Sequence, residues 1–146
     1  MTIQFRESHK KDVDIIRVLL EETKLPTETL GKDVTTFYVA EDDDGVVGIA
    51  GFEFYGNDAL LRSVVVKPDI QRQGLGSQIV DKMLDLARGR SFDKVVLLTG
   101  TAKDFFLKKG FQVIDRSSIV NDAMKQSSEF AFACPTSAVC MVLRLN

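Results

Sequence analysis

Hydrophobic and polar residues follow one another along this chain with two periods, which predict strands and helices in turn. Apolar residues run together in short extended stretches such as Ala59 to Val66, "ALLRSVVV", which is typical of a central strand. In other stretches they recur every three or four residues, as from Leu75 to Ala87, which predicts an amphipathic helix. The predicted order of elements is β-α-β-β-β-α-β-α-β-α-β.

The first predicted strand begins at Ile3. The six that follow are Thr35 to Glu41, Val46 to Tyr55, Ala59 to Val66, Lys94 to Leu98, Phe111 to Asp115 and Ala138 to Leu143. The predicted helices cover Asp12 to Glu22, Leu75 to about Gly89, Thr101 to Lys109 and about Ser118 to Gln126. Ser8 is the predicted N-cap of the first helix. This order predicts an α/β (α+β) fold, with a mixed, mostly antiparallel sheet and helices on both faces.

The length of the chain predicts one domain over residues 1–146. No linker, repeat or low-complexity run interrupts the first seventy residues, and Pro is too sparse to mark a domain boundary. A formal net charge of −2, with both signs interspersed, disfavours nucleic acid as a partner. No long apolar stretch is present, and the first residues alternate like a strand. We therefore expect a cytoplasmic protein that does not bind membranes.

The two cysteines are interpreted as a reduced cytosolic pair or as small buried hydrophobic residues. Cys134 and Cys140 stand outside any Cys/His metal-binding spacing. We expect no metal. A buried Cys140 on a strand and a Cys134 in a loop are favoured.

The stretch "QRQGLGSQIV" places two glycines, Gly74 and Gly76, between a strand and a helix. Unpaired backbone N–H groups and the positive end of the helix dipole meet at such a point, so it favours binding of an anion such as phosphate. Arg72 adds a cation. The spacing fits neither a dinucleotide fingerprint nor a P-loop. The glycines could instead serve only a tight turn.

Two blocks of sequence resemble the GNAT superfamily of acyl-CoA-dependent N-acetyltransferases. "LLRSVVVKPDIQRQGLGS" contains V-x-P followed by Q-x-x-G-x-G, which is similar to the family's acyl-CoA-binding motif. "TAKDFFLKKGF", Thr101 to Phe111, is similar to the family's A-x-x-F-[FY]-x-x-x-G-F segment. The predicted order of elements is also the family's. The resemblance therefore implies that acetyl-CoA is the co-substrate and that its pyrophosphate is the anion.

The resemblance also implies roles for individual residues in holding coenzyme A. The backbone of Val64 and Val66 would bind the pantetheine and the thioester carbonyl, so that Val66 also stabilises the oxyanion. Phe105 and Phe106 would flank the pantetheine, although a core position is favoured for Phe105. The backbone amides that would cradle the pyrophosphate are those of Gln71, Arg72, Gln73, Gly74, Leu75, Gly76 and Ser77.

Acetyl transfer needs a base for the amine and a proton for the leaving thiolate. Glu53 is the first candidate for the base, because desolvation between Phe52 and Phe54 would make it a stronger base; an outward, solvated Glu53 is the alternative. Glu129 is the second candidate, whereas His9 is interpreted as a solvated surface residue.

The position at which many family members carry an acidic tyrosine is Phe106, which has no proton to donate. The thiolate would therefore leave unprotonated or be protonated by water or another group. The candidate donors are Cys134, Cys140, Ser63 and Tyr55.

Three features bear on the acceptor amine. Arg62 could pair with an acceptor carboxylate or could equally be a solvated strand residue. The segment from Ser118 to Ser128 is long enough to form a lid. The C-P-x-S-A stretch at Cys134 to Ala138 resembles a subgroup linked to arsenic resistance, which implies an amino acid analogue containing arsenic or phosphorus as the acceptor. That resemblance leaves contact of the Cys134 and Cys140 thiols with trivalent arsenic as an alternative to their structural interpretation.

Other functions stay open at this stage. Because Phe106 replaces the tyrosine, the fold could bind acyl-CoA as a sensor or interaction module without catalysis. Acetylation of protein amino groups is a third reading, but the mixed charge gives no docking surface for a charged tail. We therefore expect a small-molecule amine as the partner, and a homodimer stays open.

Overall fold

The computed structural model describes residues 3–28, 30–31, 34–68, 74–127, 129–130 and 138–145. The strands are β1 (Gln4–Glu7), β2 (Thr36–Asp42), β3 (Gly45–Tyr55), β4 (Asp58–Val66), β5 (Lys94–Thr99), β6 (Gln112–Ile114) and β7 (Val139–Arg144). The α-helices are α1 (Val13–Glu22), α2 (Leu75–Gly89), α3 (Lys103–Lys108) and α4 (Asp122–Lys125), and short 3-10 turns cover Lys10–Asp12 and Arg116–Ser118. Three predicted site residues, Gln71, Arg72 and Gln73, lie outside the described residues, as does Cys134.

The strands form a seven-stranded sheet in the order β1-β2-β3-β4-β5-β7-β6. β4 pairs with β5 in parallel, whereas β1 with β2, β2 with β3, β5 with β7 and β6 with β7 pair antiparallel. The predicted mixed, mostly antiparallel sheet is therefore confirmed, together with the order of elements. Contacts within the fold divide the chain into two compact units, Met1–Glu53 with Ser63–Leu86 and Phe54–Arg62 with Ala87–Asn146.

In the first unit, α1 and α2 cover opposite faces of β3. Leu19 of α1 packs in one core cluster with Ile49 of β3, and the full set is Ile16, Leu19, Leu20, Phe37, Val39, Ile49 and Val65. The neighbouring Gly48 points the other way, since a Cβ built there would lie 2.6 Å from Cδ1 of Ile79 on α2. Side chains alternate between the faces of a strand, so the two-residue period of β3 decides which helix each residue meets.

In the second unit, a separate core forms around β5 and β7. Its buried members are Leu60, Val96, Leu98, Ile119, Met124, Cys140 and Val142. Ile119 and Met124 come from the segment that was predicted to form a lid, and both side chains are buried. Burying apolar side chains removes them from water and stabilises the fold, so this segment is a packed part of the unit and not a loose loop.

The fourth helix is much shorter than predicted. The sequence predicts helix from about Ser118 to Gln126, but the structure has a 3-10 turn at Arg116–Ser118 and helix only at Asp122–Lys125. Asn121 explains the boundary, because its Oδ1 accepts a hydrogen bond from Met124 N at 3.1 Å and caps the helix. Its Nδ2 donates to the carbonyl of Tyr55 at 2.8 Å.

The predicted N-cap of the first helix is also wrong. Ser8 uses its backbone N–H to bond the carbonyl of Phe37 at 2.9 Å, and the chain then makes the 3-10 turn Lys10–Asp12 before α1 begins at Val13. The carboxylate of Asp12 accepts from the backbone N–H of His9 at 2.7 Å. Asp12, three positions after His9, therefore accepts the hydrogen bond that closes the entry to the helix, as in a capping box.

Among the described residues, no helix is both long enough and apolar enough to span a bilayer.

Candidate functional site

A glycine in a left-handed conformation precedes α2. Gly74 has a φ of +74°, a left-handed conformation that a residue with a Cβ adopts only with strain. Gln78 N donates to the Gly74 carbonyl at 3.2 Å, and the N–H groups of Leu75 and Gly76 come before that bond, at the positive end of the helix dipole. A Cβ on Gly74 would meet no described atom within 4 Å.

The second glycine of the loop lies against the predicted pantetheine strand. A Cβ on Gly76 would lie 3.7 Å from Cγ2 of Val66, which is an ordinary contact distance. Val65, the preceding residue, points to the opposite face and packs in the cluster with α1. The first unit therefore brings together Val66, Gly74 and Gly76, three of the residues predicted to bind coenzyme A.

β4 contains a backbone irregularity next to these residues. Ser63 has a φ of +57° within the strand, a left-handed conformation that costs a non-glycine residue about 1 kcal/mol or more. The parallel pairing of β4 with β5 joins Asp58–Leu60 to Lys94–Val96, and β4 then runs on to Val66. Val64 and Val66 thus lie beyond both the pairing with β5 and the irregular residue.

Glu53, the predicted base, is fully buried near the end of β3, with a relative exposure of 0%. The alternative of an outward, solvated Glu53 is therefore wrong. Thr35 donates a hydrogen bond from Oγ1 to Oε2 of Glu53 at 2.9 Å, and this bond is itself buried. Burying a carboxylate without such donors is costly. The hydroxyl of Thr35, the residue immediately before β2, reduces this cost.

Arg62 and Glu129 are brought together in the second unit. Nη2 of Arg62 lies 3.7 Å from Oε1 of Glu129, and the side chains are 0% and 9% exposed. The alternative of a solvated Arg62 is therefore wrong. Any acceptor carboxylate that binds Arg62 would have to compete with Glu129 for the guanidinium.

The phenylalanine pair on α3 is arranged differently from the prediction. Phe106 is the buried member, whereas Phe105 is half-buried and lies under Nζ of Lys109, which is 5.9 Å from the ring centroid. Phe106 makes edge-to-face contacts with Phe105 and with Phe111, at centroid distances of 5.0 Å and 5.4 Å. The core position favoured for Phe105 is thus wrong, because helix α3 turns the next residue inwards.

The other proton donors proposed for the thiolate differ in their surroundings. Cys140 is a buried free thiol on β7, which confirms the interpretation as a small hydrophobic residue. Burial raises the pKa of the Cys140 thiol to about 11, so it is a weak acid. Tyr55 is half-buried and packs against the core of the second unit. His9 is exposed, as predicted.

Sequence reasoning missed two residues at these positions. Thr35 carries no motif, and only the antiparallel register of β2 and β3 places it opposite Glu53. Ser63 is unremarkable in a strand until its φ is known. Within the described part of the chain, no group of three or more His, Cys, Asp or Glu residues is arranged to hold a metal ion.

The order of strands in the sheet and the helices between them form a recognisable fold, and comparison with known proteins identifies it. The family model described as "Acetyltransferase (GNAT) domain" matches residues 33–113. The chain belongs to the GNAT acetyltransferase family. The predicted enzyme class, an acetyl-CoA-dependent N-acetyltransferase, is therefore confirmed, with acetyl-CoA as its co-substrate.

Individual relatives extend this result. An amino-acid acetyltransferase from Mycobacterium tuberculosis is 32% identical over 124 residues, which cover 80% of this chain and 69% of that protein. The structure of Rv2747 from Mycobacterium tuberculosis in complex with CoA and NLQ has a TM-score of 0.82 at 27% identity, covering 98% of this chain and 99% of that chain.

A larger structural relative is N-acetylglutamate synthase from Neisseria gonorrhoeae complexed with coenzyme A and N-acetyl-glutamate. Its TM-score is 0.84 at 21% identity, and the match covers all of this chain but only 36% of that one. This likeness therefore concerns the fold. The arsenic-resistance subgroup stays a prediction.

Proposed function

We propose that this protein transfers the acetyl group of acetyl-CoA to the α-amino group of a small free amino acid. The observation that carries the proposal is the 32% identity to an amino-acid acetyltransferase over 80% of this chain. The modest, mixed charge of the chain agrees with a small acceptor, since it offers no surface for docking a charged protein tail.

Coenzyme A would be held in the first unit by backbone groups of α2 and β4. The N–H groups at the start of α2, with Gly74 and Gly76 lacking side chains, would bind the pyrophosphate. The backbone of Val64 would bind the pantetheine as an added strand does. These contacts are made by backbone atoms, so the glycine conformation and the course of β4 are what this sequence must preserve.

The chemistry would be a direct attack of the amine on the thioester. Glu53 would take the proton from the amine, forming a neutral nucleophile, and the N–H of Val66 would stabilise the oxyanion. The carbon–sulfur bond would then break and the nitrogen would lose its extra proton to water, leaving the acetylated amine and the thiolate of coenzyme A. Phe106 supplies no proton, so the thiolate would be protonated by water, as a thiol of ordinary pKa permits.

Arg62 would bind the acceptor's acid group. A guanidinium binds a carboxylate or a phosphinic or arsinic acid by the same paired hydrogen bonds, so Arg62 does not distinguish these acceptors. An arsenic- or phosphorus-containing amino acid analogue is therefore the finer form of the proposal. An acceptor of either kind would displace Glu129 from its position 3.7 Å from Arg62.

The test is turnover of acetyl-CoA by the purified protein against a panel of amines, followed by mass spectrometry of the products. The panel contains ordinary amino acids, arsenic- and phosphorus-containing analogues, polyamines and peptides. Gly74→Glu is the control, because a carboxylate at the turn would repel a pyrophosphate. Acetylated amino acids that disappear in this variant support the proposal.

Other outcomes of the panel separate the competing readings. Products formed only from peptides would replace the proposal with acetylation of protein amino groups. Acetyl-CoA that raises the Tm of the wild type and not of Gly74→Glu, with no product from any amine, would indicate a binding module. Products from the arsenic or phosphorus analogues in preference to ordinary amino acids would support the finer proposal.

A further inference from the structure

We propose that Thr35 is the positioning residue for the base Glu53. The inference rests on the role proposed above for Glu53 and adds a residue that the motifs of the sequence do not mark. It is carried by one contact, the hydrogen bond of 2.9 Å from Thr35 Oγ1 to Glu53 Oε2.

The register of the sheet makes this contact a fixed one. Thr36 pairs with Phe52 and Phe37 with Gly51 across β2 and β3, so Thr35 stands opposite Glu53 one step further along. Directly opposed side chains lie about 5 Å apart at Cβ, a distance that a hydroxyl and a carboxylate can bridge. Glu53 also lies four residues after Ile49, on the face of β3 that packs with α1.

Burial strengthens the hydrogen bond between Thr35 and Glu53. Thr35 is 7% exposed and Glu53 is 0% exposed, so water competes little for this bond. The hydroxyl also supplies a hydrogen bond to an acceptor oxygen that is removed from water. It also holds the carboxyl group in one orientation, and errors of about 1 Å in such an orientation cost roughly a hundredfold in rate.

The experiment compares two pairs of side chains that differ in the hydroxyl at position 35. Wild type and Thr35→Val have nearly the same shape, and Thr35→Ser and Thr35→Ala form a smaller pair that serves if Thr35→Val does not fold. Steady-state kinetics with acetyl-CoA and the best acceptor from the panel supply kcat and KM, and thermal unfolding supplies Tm for every variant.

The members of each pair that lack the hydroxyl should lose roughly 10- to 100-fold in kcat, with the KM for acetyl-CoA unchanged. Thr35→Ser should stay within a few-fold of the wild type. In the double variant Thr35→Val/Glu53→Gln, or Thr35→Ala/Glu53→Gln, the loss should be no larger than that of Glu53→Gln alone, because Thr35 acts only through the carboxylate.

Two kinetic results from the Thr35 variants would overturn the inference. One is a wild-type kcat in the variants that lack the hydroxyl, and the other is a loss that multiplies with that of Glu53→Gln. A merely structural Thr35 would lower Tm and leave kcat of the folded protein unchanged. If Glu53→Gln itself keeps the wild-type kcat, the base is another group and the inference is lost, whereas the acceptor class is judged separately by the panel.

Discussion

Arg62 on β4 and Glu129, which follows α4, form an ion pair of 3.7 Å whose side chains are almost completely enclosed. Removing Glu129 takes a counter-charge away from a buried guanidinium, so Glu129→Leu should lower the free energy of unfolding by about 3 kcal/mol. Chemical denaturation of wild type and variant measures the difference.

The matched control for this pair is the double variant Arg62→Met/Glu129→Leu. Replacing both charges with apolar side chains removes the desolvation cost as well as the attraction, so the double variant should be more stable than Glu129→Leu alone. A double variant that is less stable by the sum of the single losses would contradict the view that the charges act as a pair.

Substitutions of two glycines with positive φ should distinguish an effect on stability from an effect on binding of acetyl-CoA. Gly74→Ala should lower stability by about 1 kcal/mol because its φ of +74° is strained for alanine, and it should also raise the KM for acetyl-CoA. Gly56, in the turn between β3 and β4, has a φ of +65° and similarly open surroundings. Gly56→Ala should therefore show a similar loss of stability with an unchanged KM.

Gly48 should tolerate no side chain unless its neighbour is trimmed. A Cβ there would lie 2.6 Å from Ile79 Cδ1 and 3.1 Å from the carbonyl oxygen of Val65. Gly48→Ala should thus cost about 1 to 3 kcal/mol of stability through overpacking. In Gly48→Ala/Ile79→Val the clashing methyl is gone, and denaturation should recover part of that loss; equal stabilities for the single and double variants would place the strain at Val65 instead.

Acid should weaken the contact between β1 and the start of α1. Arg6 bonds both Asp12 and Glu41, at 2.8 Å and 2.9 Å, and its guanidinium holds the pKa of Asp12 at about 2, below its unfolded value of 3.8. A lowered pKa in the folded state contributes stability that is present above about pH 4 and is lost as the pH falls through about 2. The stability difference between wild type and Asp12→Asn should shrink over this window.

Denaturation at several pH values tests that expectation. Glu41→Gln is the companion variant, since bonding to Arg6 also lowers the pKa of Glu41, and its loss should fade at acid pH in the same direction. A difference between wild type and Asp12→Asn that stays constant down to pH 2 would show that the ion pair with Arg6 contributes nothing to folding.

Much of the architecture could be predicted from local pattern. The order of elements, the mostly antiparallel sheet and the helix that begins after Gly74 all follow from periods of two and 3.6 residues and from turn chemistry, which act over a few neighbouring positions. The errors arose where side chains compete locally. Asp12, not Ser8, accepts the hydrogen bond at the entry to the first helix, and Asn121 caps α4 later than its predicted start. Either Phe105 or Phe106 could have faced inwards.

The candidate site likewise has features that local sequence predicts and contacts that it does not predict. The glycine loop and its family resemblance were readable in sequence because both depend on one short stretch of residues, and glycine suits the left-handed φ at Gly74. The partners of the acidic residues were not, since Thr35 lies 18 positions before Glu53 and Arg62 lies 67 positions before Glu129.

The sequence by itself thus determined the family, the class of co-substrate and the positions at which glycine is needed. Only the tertiary structure decided that Glu53 and Arg62 are enclosed and which residues meet their charges. Burial and pairing depend on strand register and on contacts between distant segments, and no local pattern of residues encodes either one.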